Sequence, residues 1–377
     1  MTESGVLSGV RVAELGTGIA GAYAAMLLAE QGADVVKMEP PGGDPTRAEP
    51  GFYTWNRSKR SVTRDLQAPD RREFTEALAS WADVLIASYA PAESAALGLS
   101  YDALRERNPR LIVCAMPPMG ERGPLRDLPA DDACAAAYAG LFADQGGPGE
   151  PPVFITLPIP SYGAAFLACY AVTTALFVRE RTGVGQQVEV SLLAGALAME
   201  SGTFVGSETM LRPRASGDTQ RGVFPVYRLY RCQDDWIFIA CGNPTFWNKL
   251  CLVLGLPELI SDPRFENGPW GITPEENRAA LRDIVATALA KRPRDEWLRL
   301  FQEGDVPCAV VRTRAEFRDD PQVRANDMVV EVIDPRLGHT RQMAIPVRLS
   351  GGAGCTTGPA PQPGEHTAEV LAELGLS

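Results

Sequence analysis

The segment 14–39, which reads ELGTGIAGAYAAMLLAEQGADVVKME, constrains the fold of this chain more than any other. A Gly-x-Gly-x-x-Gly motif begins at Gly16, directly after the apolar run 10–15, and Glu39 closes the next apolar run. A buried strand, a glycine-rich turn, a helix and a second buried strand form a βαβ unit with a right-handed crossover. The acidic residue after the second strand completes the pattern of a dinucleotide-binding fingerprint.

Strand and helix patterns continue to alternate through the first part of the chain. We expect strands at 10–15, 33–38, 83–88, 111–115 and 187–192, and helices at 20–31, 69–82, 101–108, 133–142 and 161–181. The last of these helices is apolar almost all round, which indicates burial, and a Thr-Gly pair ends it. This alternation predicts an α/β layer with a mostly parallel sheet.

The length of 377 residues suggests two domains. We assign 1–200 to a large domain, 201–224 to a polar, glycine-rich linker, 225–315 to a small α+β domain and 316–377 to a return segment. In the small domain we expect a hairpin that turns at residues 234–235, helices at 245–254, 274–291 and 293–302, and a strand at 308–311. A capping box from Thr273 to Glu276 is expected to open the second of these helices.

Composition excludes several classes of function. The net charge of −11 argues against nucleic acid and against an anionic membrane surface as partners. Eight cysteines without a CxxC pair, together with two histidines, argue against a zinc site and predict free thiols in a reducing cytosol. The first ten residues do not form a signal peptide, and no window reaches transmembrane length without charges or glycines. We therefore expect a cytoplasmic protein.

The order of the motifs along the chain resembles that of a known family. Six segments carry the likeness, and in chain order they read LSGVRVAELGTGIAGAYAAMLLAEQGADVVKMEPPGGDPTR, WNRSKRSVTRDL, ERNPRLIVCAM, RERTGVGQQVEVSLL, DDPQVRANDMV and GEHTAEVLAELG. They resemble the family III CoA-transferases, a superfamily that also includes carnitine CoA-transferase, formyl-CoA transferase and α-methylacyl-CoA racemase. The resemblance extends over essentially the whole chain.

The resemblance implies an architecture and a ligand. It implies a Rossmann-like large domain built from both chain ends, a small central domain, and two chains interlocked like links in a dimer. It also implies that the glycine turn binds the nucleotide end of CoA or acyl-CoA, as a substrate rather than as a tightly bound cofactor. NAD and a purely structural turn remain alternatives, because the glycines would serve the same backbone geometry in each.

The positions that the resemblance assigns to CoA binding are Gly18, Ile19, Pro40, Arg64, Asp65, Ser88 and Tyr89. Compared with the family, two usual cations are missing: residues 64–67 read RDLQ instead of LDLK, and residues 88–92 read SYAPA instead of N-[FY]-R-P-G. Arg64 is a candidate to compensate. Arg57, Lys59 and Arg60 either add local positive charge or lie in a solvated loop.

The nucleophile position of the family departs from its pattern. Family transferases use an aspartate, whose carboxylate forms a mixed anhydride and then an aspartyl-CoA thioester. That position, at the start of the long apolar helix, holds Ser161. An acyl-serine ester is a poor donor to a thiol, so a serine at this position does not support the double displacement. Ser161 has either a direct chemical role or the structural role of an N-cap.

The racemase branch needs acid and base groups on opposite sides of the α-carbon. The position of the racemase His-Asp pair is occupied here by Asp131-Asp132. The position of the racemase Asp is again Ser161, and that of the racemase Glu is Asn243. A two-base racemase is therefore unsupported. Asp131 and Asp132 form either an acid pair with one raised pKa or a cap on the helix that follows. Ser161, Asp131, Asp132 and Asn243 are the candidate catalytic residues, and we predict no metal.

Three functions follow from these observations. The first is a CoA-transferase-like enzyme with atypical chemistry that acts on an acyl-CoA or a carboxylic acid, as a homodimer. The second is a non-catalytic subunit that pairs with an aspartate-bearing paralogue in a heterodimer. The third is a repurposed isomerase, lyase or acyl-transfer enzyme that no longer uses CoA.

Overall fold

The structure is a computed structural model that describes residues 5–146, 150–202, 221–266, 268–352 and 354–376. The chain divides into two compact units. The first unit is the described part of Met1–Leu141, Ile155–Phe204 and Pro321–Ser377, and the second is that of Phe142–Phe154 and Val205–Asp320. Most of the predicted linker, residues 203–220, lies outside the described residues.

Strands and helices alternate in the first unit, as the apolar runs predict. In chain order they are β1 (Arg11–Gly16), α1 (Ile19–Glu30), β2 (Asp34–Glu39), α2 (Phe52–Trp55), β3 (Arg60–Thr63), α3 (Arg71–Trp81), β4 (Val84–Ser88), α4 (Pro91–Ala96), α5 (Tyr101–Arg105), β5 (Ile112–Ala115), α6 (Asp132–Ala139), α7 (Leu141–Gly146), α8 (Ile159–Thr182), β6 (Gln187–Glu189) and α9 (Leu192–Met199). Helix α7 begins in the first unit and continues into the second. A 3₁₀ turn follows β2 at Pro45–Ala48.

Strands β1 to β6 of the first unit form one parallel sheet in the order β3-β2-β1-β4-β5-β6. This order reverses direction between β1 and β4, which makes that pair the topological switch point of the sheet. The predicted α/β fold with a parallel sheet is confirmed. Ligands of such sheets bind at the carboxyl ends of the strands, which we call the carboxyl edge.

Apolar side chains fill both faces of this sheet. Strand residues such as Val12 and Ile112 pack in one cluster with small residues of α1 and α8, including Ala24 and Ala164. Alternate strand residues such as Leu15 pack in a second cluster that includes α3. Because successive side chains of a strand point to opposite faces, each strand contributes to both clusters.

The second unit contains an antiparallel sheet, in the order β10-β9-β8-β7. Its elements are β7 (Gly222–Phe224), β8 (Tyr227–Arg231), β9 (Trp236–Ala240), α10 (Pro244–Val253), α11 (Glu275–Leu289), α12 (Arg294–Glu303), β10 (Cys308–Val310) and α13 (Arg314–Asp319), with 3₁₀ turns at Pro257–Ile260 and Pro263–Phe265. Its apolar cluster includes Trp247 and Trp297.

The chain then returns to the first unit. The returning elements are α14 (Pro321–Ala325), the antiparallel pair β11 (Val329–Asp334) and β12 (Gly338–Met343), and α15 (Thr367–Glu373). The Ser61 backbone N–H donates to Nδ1 of His366, so the segment before α15 contacts β3. The C-terminal segment therefore completes the unit that the N-terminal segment begins.

The structure differs from the predictions at several elements. The strand predicted at 187–192 ends at Glu189, because the Ser191 hydroxyl accepts from the Ala194 N–H and starts α9 instead. Strand β3 was not predicted, since four residues give too short an alternation. The capping box at Thr273 is wrong, because α11 begins at Glu275 after Pro274 and Thr273 lies one position too early.

Candidate active site

The first turns of α6 and α8 meet through a hydrogen bond. Asp131 is the N-cap of α6, and its carboxylate accepts from the Cys134 N–H at 2.9 Å. Asp132 is the first residue of α6, and its Oδ1 accepts from the Ser161 N–H at 2.7 Å. Three of the four predicted catalytic residues are therefore brought to one place, and the predicted capping role of Asp131 is confirmed.

Ser161 lies inside the first turn of α8. The helix begins at Ile159 and its N-cap residue is Pro158, which makes no side-chain capping bond. The prediction that Ser161 is an N-cap is therefore wrong. The physical reason is that Asp132, from another helix, accepts the first-turn N–H that an N-cap side chain would otherwise satisfy. Ser161 is buried, with 3% of its surface exposed.

The pKa values of the neighbouring carboxyl groups of Asp131 and Asp132 are shifted in opposite directions. The N–H of Cys134 holds the pKa of Asp131 below its usual range. Burial raises the pKa of Asp132, although hydrogen bonds from the side chain and backbone of Ser161 partly offset this effect. The charge of Asp131 adds only a smaller increase, so burial rather than charge pairing is the main cause.

Helix α9, which no sequence pattern predicted, packs closely against the start of α8. A Cβ added at Gly163 of α8 would lie 2.6 Å from the carbonyl oxygen of Gly195 in α9. A Cβ at Gly195 would lie 2.5 Å from the Ala164 backbone nitrogen. Because both glycines let the two backbones approach closely, α9 determines where the first turn of α8 lies.

Four predicted CoA-binding residues gather at the switch point of the sheet. Gly16 of β1 lies opposite Ser88 of β4, Tyr89 follows Ser88, and Gly18 is the N-cap of α1, which begins at Ile19. Gly16 and Gly18 have φ angles of +108° and +99°, which side chains other than glycine rarely adopt. The backbone N–H groups at this end of α1 favour an anion.

The Ser88 hydroxyl adds a specific polar group to this turn. Its Oγ is buried and has no hydrogen-bond partner in the described part of the chain. A side chain at Gly21 would collide with it, so the third glycine of the motif leaves room for this hydroxyl. An unsatisfied buried hydroxyl beside a helix N-terminus fits a ligand that carries oxygen acceptors.

The remaining predicted CoA-binding residues lie along the same edge. Pro40 follows β2 and is exposed, and Arg64 and Asp65 follow β3. Arg64 pairs with Asp70 and stacks over Phe74, while its buried Nε has no hydrogen-bond partner in the described residues. Asp65 caps the turn after β3 through the Gln67 N–H at 2.8 Å. Contacts within the protein therefore already engage part of the Arg64 guanidinium.

A buried charge cluster, which no local sequence pattern predicts, lies on β1, β2 and the segments that follow β2. We define it as Glu14, Lys37, Asp44 and Lys59. Glu14 binds Lys37 at 2.7 Å and Lys59 at 2.6 Å, and Lys37 binds Asp44 at 2.9 Å. Burial alone would raise the pKa of Glu14, but the two ammonium groups lower it below its usual range. Lys59 is therefore neither solvated nor available to a ligand.

The other two predicted cations are also engaged within the protein. Arg57 is fully buried and binds both carboxylate oxygens of Glu30, at 2.6 and 3.0 Å. Arg60 binds Asp34 at 2.6 Å and Glu373 at 2.7 Å. The prediction of a solvated loop is therefore wrong for Arg57 and Lys59, whose positive charges are paired with buried carboxylates, and Arg60 is shared among carboxylates.

Glu39 has a structural role that bears on the NAD alternative. Its Oε1 accepts from the Ser61 hydroxyl at 2.5 Å, and its Oε2 accepts from Arg47 at 2.7 Å and from the Asp44 N–H at 2.9 Å. Glu39 is 1% exposed. An NAD site needs such a carboxylate to accept from ribose hydroxyls, and here both oxygens are already used.

Asn243 lies in the second unit. It is the N-cap of α10, and its side chain accepts from the Phe246 N–H at 2.8 Å. Beside it, the Trp270 indole donates to the Gly242 carbonyl oxygen at 2.5 Å. The side chain of Asn243 thus has a capping role that accounts for the residue type.

Comparison with known proteins identifies the family. The family model for CoA-transferase family III matches residues 7–367. A succinyl-CoA–D-citramalate CoA-transferase of Chloroflexus aurantiacus is 30% identical over 381 residues, which cover 98% of this chain and 94% of that protein. An acetyl-CoA:oxalate CoA-transferase of Acetobacter aceti is 31% identical over 359 residues, which cover 92% of this chain and 90% of that protein.

Solved structures agree with this result. A CAIB/BAIF family protein from Brucella suis superimposes with a TM-score of 0.84 at 29% identity, and the match covers 98% of this chain and 100% of that one. A Mycobacterium tuberculosis protein matches with the same TM-score, identity and coverage. The named relatives are CoA-transferases, and none of them supports the isomerase alternative. The chain belongs to CoA-transferase family III.

Proposed function

We propose that this protein transfers CoA from an acyl-CoA donor to a carboxylic acid acceptor, at a site whose chemistry departs from the family pattern. The match to the family model over residues 7–367 carries this proposal. It is supported by relatives whose names pair an acyl-CoA with a dicarboxylic or hydroxy acid. Small organic acids and their CoA esters are therefore the substrate class.

The switch point of the sheet is the proposed place for the nucleotide end of CoA. The N–H groups at the start of α1 and the free Ser88 hydroxyl supply donors for phosphate oxygens. Arg64 supplies a cation nearby on the carboxyl edge, although Asp70 shares it. Arg57, Lys59 and Arg60 are engaged by carboxylates and are therefore not free to bind the phosphates. We expect CoA to bind more weakly than it would at a site with more free cations.

A second copy of this chain is the proposed partner. Helix α8 is long and apolar enough to span a membrane, with 44% of its most apolar window buried. Its buried face packs in the core beside α1, whereas Phe166, Tyr170 and Phe177 are 47%, 71% and 58% exposed. Residues at i, i+4 and i+11 lie on one helix face, and an exposed aromatic face is typical of a protein–protein interface.

Sedimentation of the wild type and of the Tyr170→Ser/Phe177→Ser variant tests the partner. We expect a dimer for the wild type and a weaker dimer for the variant. A wild-type monomer at micromolar concentration would contradict a homodimer. If the chain assembles only with a second, aspartate-bearing family III protein, the non-catalytic subunit becomes the better hypothesis, which the serine at position 161 favours.

Calorimetric titration with CoA and, separately, with NAD tests the function, followed by a transfer assay with succinyl-CoA and glutarate. We expect binding of CoA, no binding of NAD, and formation of a new CoA thioester. If neither nucleotide binds and no transfer occurs over a panel of short acyl-CoA esters and dicarboxylates, the proposed function is wrong. The CoA-free alternative would then gain support.

A further inference from the structure

Within that proposed function, we propose that Asp132 carries the covalent chemistry that family transferases assign to position 161. Its carboxylate would attack the acyl-CoA thioester and later hold CoA as an aspartyl thioester. The inference rests on the contact between α6 and α8, on the partial burial of Asp132 and on its lack of a cation partner among the described residues.

The contact places the Asp132 carboxylate at the first turn of α8. Its Oδ1 lies 2.7 Å from the backbone nitrogen of Ser161, the residue at the nucleophile position. A carboxylate from α6 therefore stands beside the place where the family has one on α8. The hydrogen bonds of Asp132 in the described part of the chain all come from the backbone and side chain of Ser161.

The absence of a cation distinguishes Asp132 from the buried carboxylates of the same unit. Glu14, Glu30 and Glu39 are each at most 2% exposed and bind Lys or Arg at 2.7 Å or less. Asp132 is half-buried, and no Lys or Arg pairs with it in the part of the chain that the structure describes. Carboxylates that serve the fold are paired here, because an unpaired buried charge is costly.

The environment suits a nucleophile that must also stabilise developing charge. Burial raises the pKa of Asp132, and a partly desolvated carboxylate is a stronger nucleophile than a hydrated one. Two helices, α6 and α8, direct their N-termini to this place. The partial positive charge of a helix N-terminus favours the oxyanion that forms when a thioester is attacked.

The chemistry balances without any further reactant. The Asp132 carboxylate adds to the thioester carbonyl, CoA thiolate leaves, and a mixed anhydride remains. The thiolate then attacks the Asp132 carbonyl, the donor acid leaves as a carboxylate, and an aspartyl-CoA thioester forms. The acceptor carboxylate attacks this thioester and expels CoA thiolate. The thiolate attacks the acceptor carbonyl of the new anhydride, which releases the product thioester and restores Asp132.

Serine cannot replace a carboxylate in this sequence. A hydroxyl at Ser161 would give an ester, and it could not activate an acceptor acid as an anhydride. The relatives named above are CoA-transferases, and CoA transfer by double displacement through an enzyme thioester needs a carboxyl group on the enzyme. Asp132 is the described carboxylate that contacts Ser161 directly.

Four variants of the full-length protein test the inference: Asp132→Asn, Asp127→Asn, Ser161→Ala and the double variant Asp132→Asn/Ser161→Asp. Asparagine at 132 keeps an oxygen for the Ser161 N–H, so folding is preserved. Asp127 is an exposed aspartate of the same unit that also accepts one backbone N–H, from Ala92 at 2.8 Å, and serves as the matched control. The double variant moves the carboxylate to the family position.

Each variant is mixed with succinyl-CoA and quenched with acid, which preserves thioester and ester adducts, and the modified peptide is mapped by mass spectrometry. We expect an adduct on residue 132 in the wild type and in Asp127→Asn. We expect at least a 100-fold loss of transfer and no adduct in Asp132→Asn, and partial recovery in the double variant, with the adduct on residue 161. Asp132→Asn with unchanged transfer, or a wild-type adduct elsewhere, would overturn the inference.

The transfer assay of the wild type separates the two proposals. If the wild type transfers CoA and Asp132→Asn does so equally well, the proposed function stands and the role of Asp132 is wrong. If the wild type neither binds CoA nor transfers it, both proposals fail together. An adduct on Ser161 that disappears in Ser161→Ala would assign the chemistry to the serine and contradict the role of Asp132.

Discussion

Two groups of acidic residues in the same unit differ in one respect that separates structure from function. In the buried charge cluster, Glu14 lies between two lysines, and Lys37 also binds Asp44. At the first turn of α8, Asp132 receives hydrogen bonds only from Ser161 within the described residues. The cluster satisfies its charges internally, whereas the helix site keeps one carboxylate for another molecule. Pairing with a Lys therefore distinguishes the carboxylates of the charge cluster from Asp132.

The largest expected effect comes from breaking the cluster. Glu14→Gln leaves two buried lysines with one carboxylate, and removal of one partner of a buried pair costs about 3–5 kcal/mol. Urea unfolding followed by fluorescence measures the loss. Glu49→Gln, at an exposed position, is the control and should change stability by less than about 0.5 kcal/mol. A loss below about 1 kcal/mol for Glu14→Gln would mean that the cluster contributes little.

A smaller loss is expected where α8 crosses α9. Gly163→Ala places a Cβ 2.6 Å from the Gly195 carbonyl oxygen, and overpacking of this kind costs about 1–3 kcal/mol. The forced shift also moves the first turn of α8, so CoA transfer should fall more than stability explains. Gly358→Ala, where the added Cβ meets no atom within 4 Å, is the control for both measurements. Equal behaviour of the two variants would exclude a positioning role for the crossing.

Substitutions of Asn243 test whether this predicted catalytic residue has only a capping role. Asn243→Ala removes the N-cap of α10 and should cost about 1 kcal/mol in thermal or urea unfolding. Asn243→Asp keeps an acceptor for the Phe246 N–H and should retain most of the stability. A variant with wild-type stability and abolished transfer would instead support a catalytic role for Asn243.

The smallest effect is a pH dependence with opposite signs at the two acids. The folded-state pKa of Glu14 is lowered, so its stabilisation is present above the unfolded value and is lost as the pH falls. The folded-state pKa of Asp132 is raised, so its contribution is largest at low pH and is lost as the pH rises through that pKa.

Unfolding free energies measured from about pH 4 to pH 7 check these signs. The difference between wild type and Glu14→Gln should grow with pH. The difference between wild type and Asp132→Asn should decrease. Parallel curves for the two variants would contradict the assigned directions.

The sequence predicted the parallel sheet well, because buried strands are continuous apolar runs between glycine and helix signals. Strands β1, β2, β4 and β5 lie within two residues of the predictions. The four-residue strand β3 escaped because its pattern is too short to stand out, and α9 escaped because its first residues continue a strand-like run.

The site was only half predictable, for a different reason. Family position pointed to Ser161 and Asp132, but the contact between them joins residues 29 apart through helix packing that no local pattern encodes. For the same reason Arg57 and Lys59 looked like surface cations, since their partners Glu30 and Glu14 precede them by 27 and 45 residues. Partners of buried charges require the fold.

Oxygen transfer from the acceptor acid is the most direct test of the role of Asp132. In the double displacement, the acceptor carboxylate leaves one of its oxygens on the enzyme carboxyl group. Wild-type protein is therefore turned over with succinyl-CoA and ¹⁸O-labelled glutarate, and the peptide containing Asp132 is analysed by mass spectrometry. We predict ¹⁸O in the Asp132 side chain. Turnover with no label in Asp132, or with label in another residue, would contradict the account.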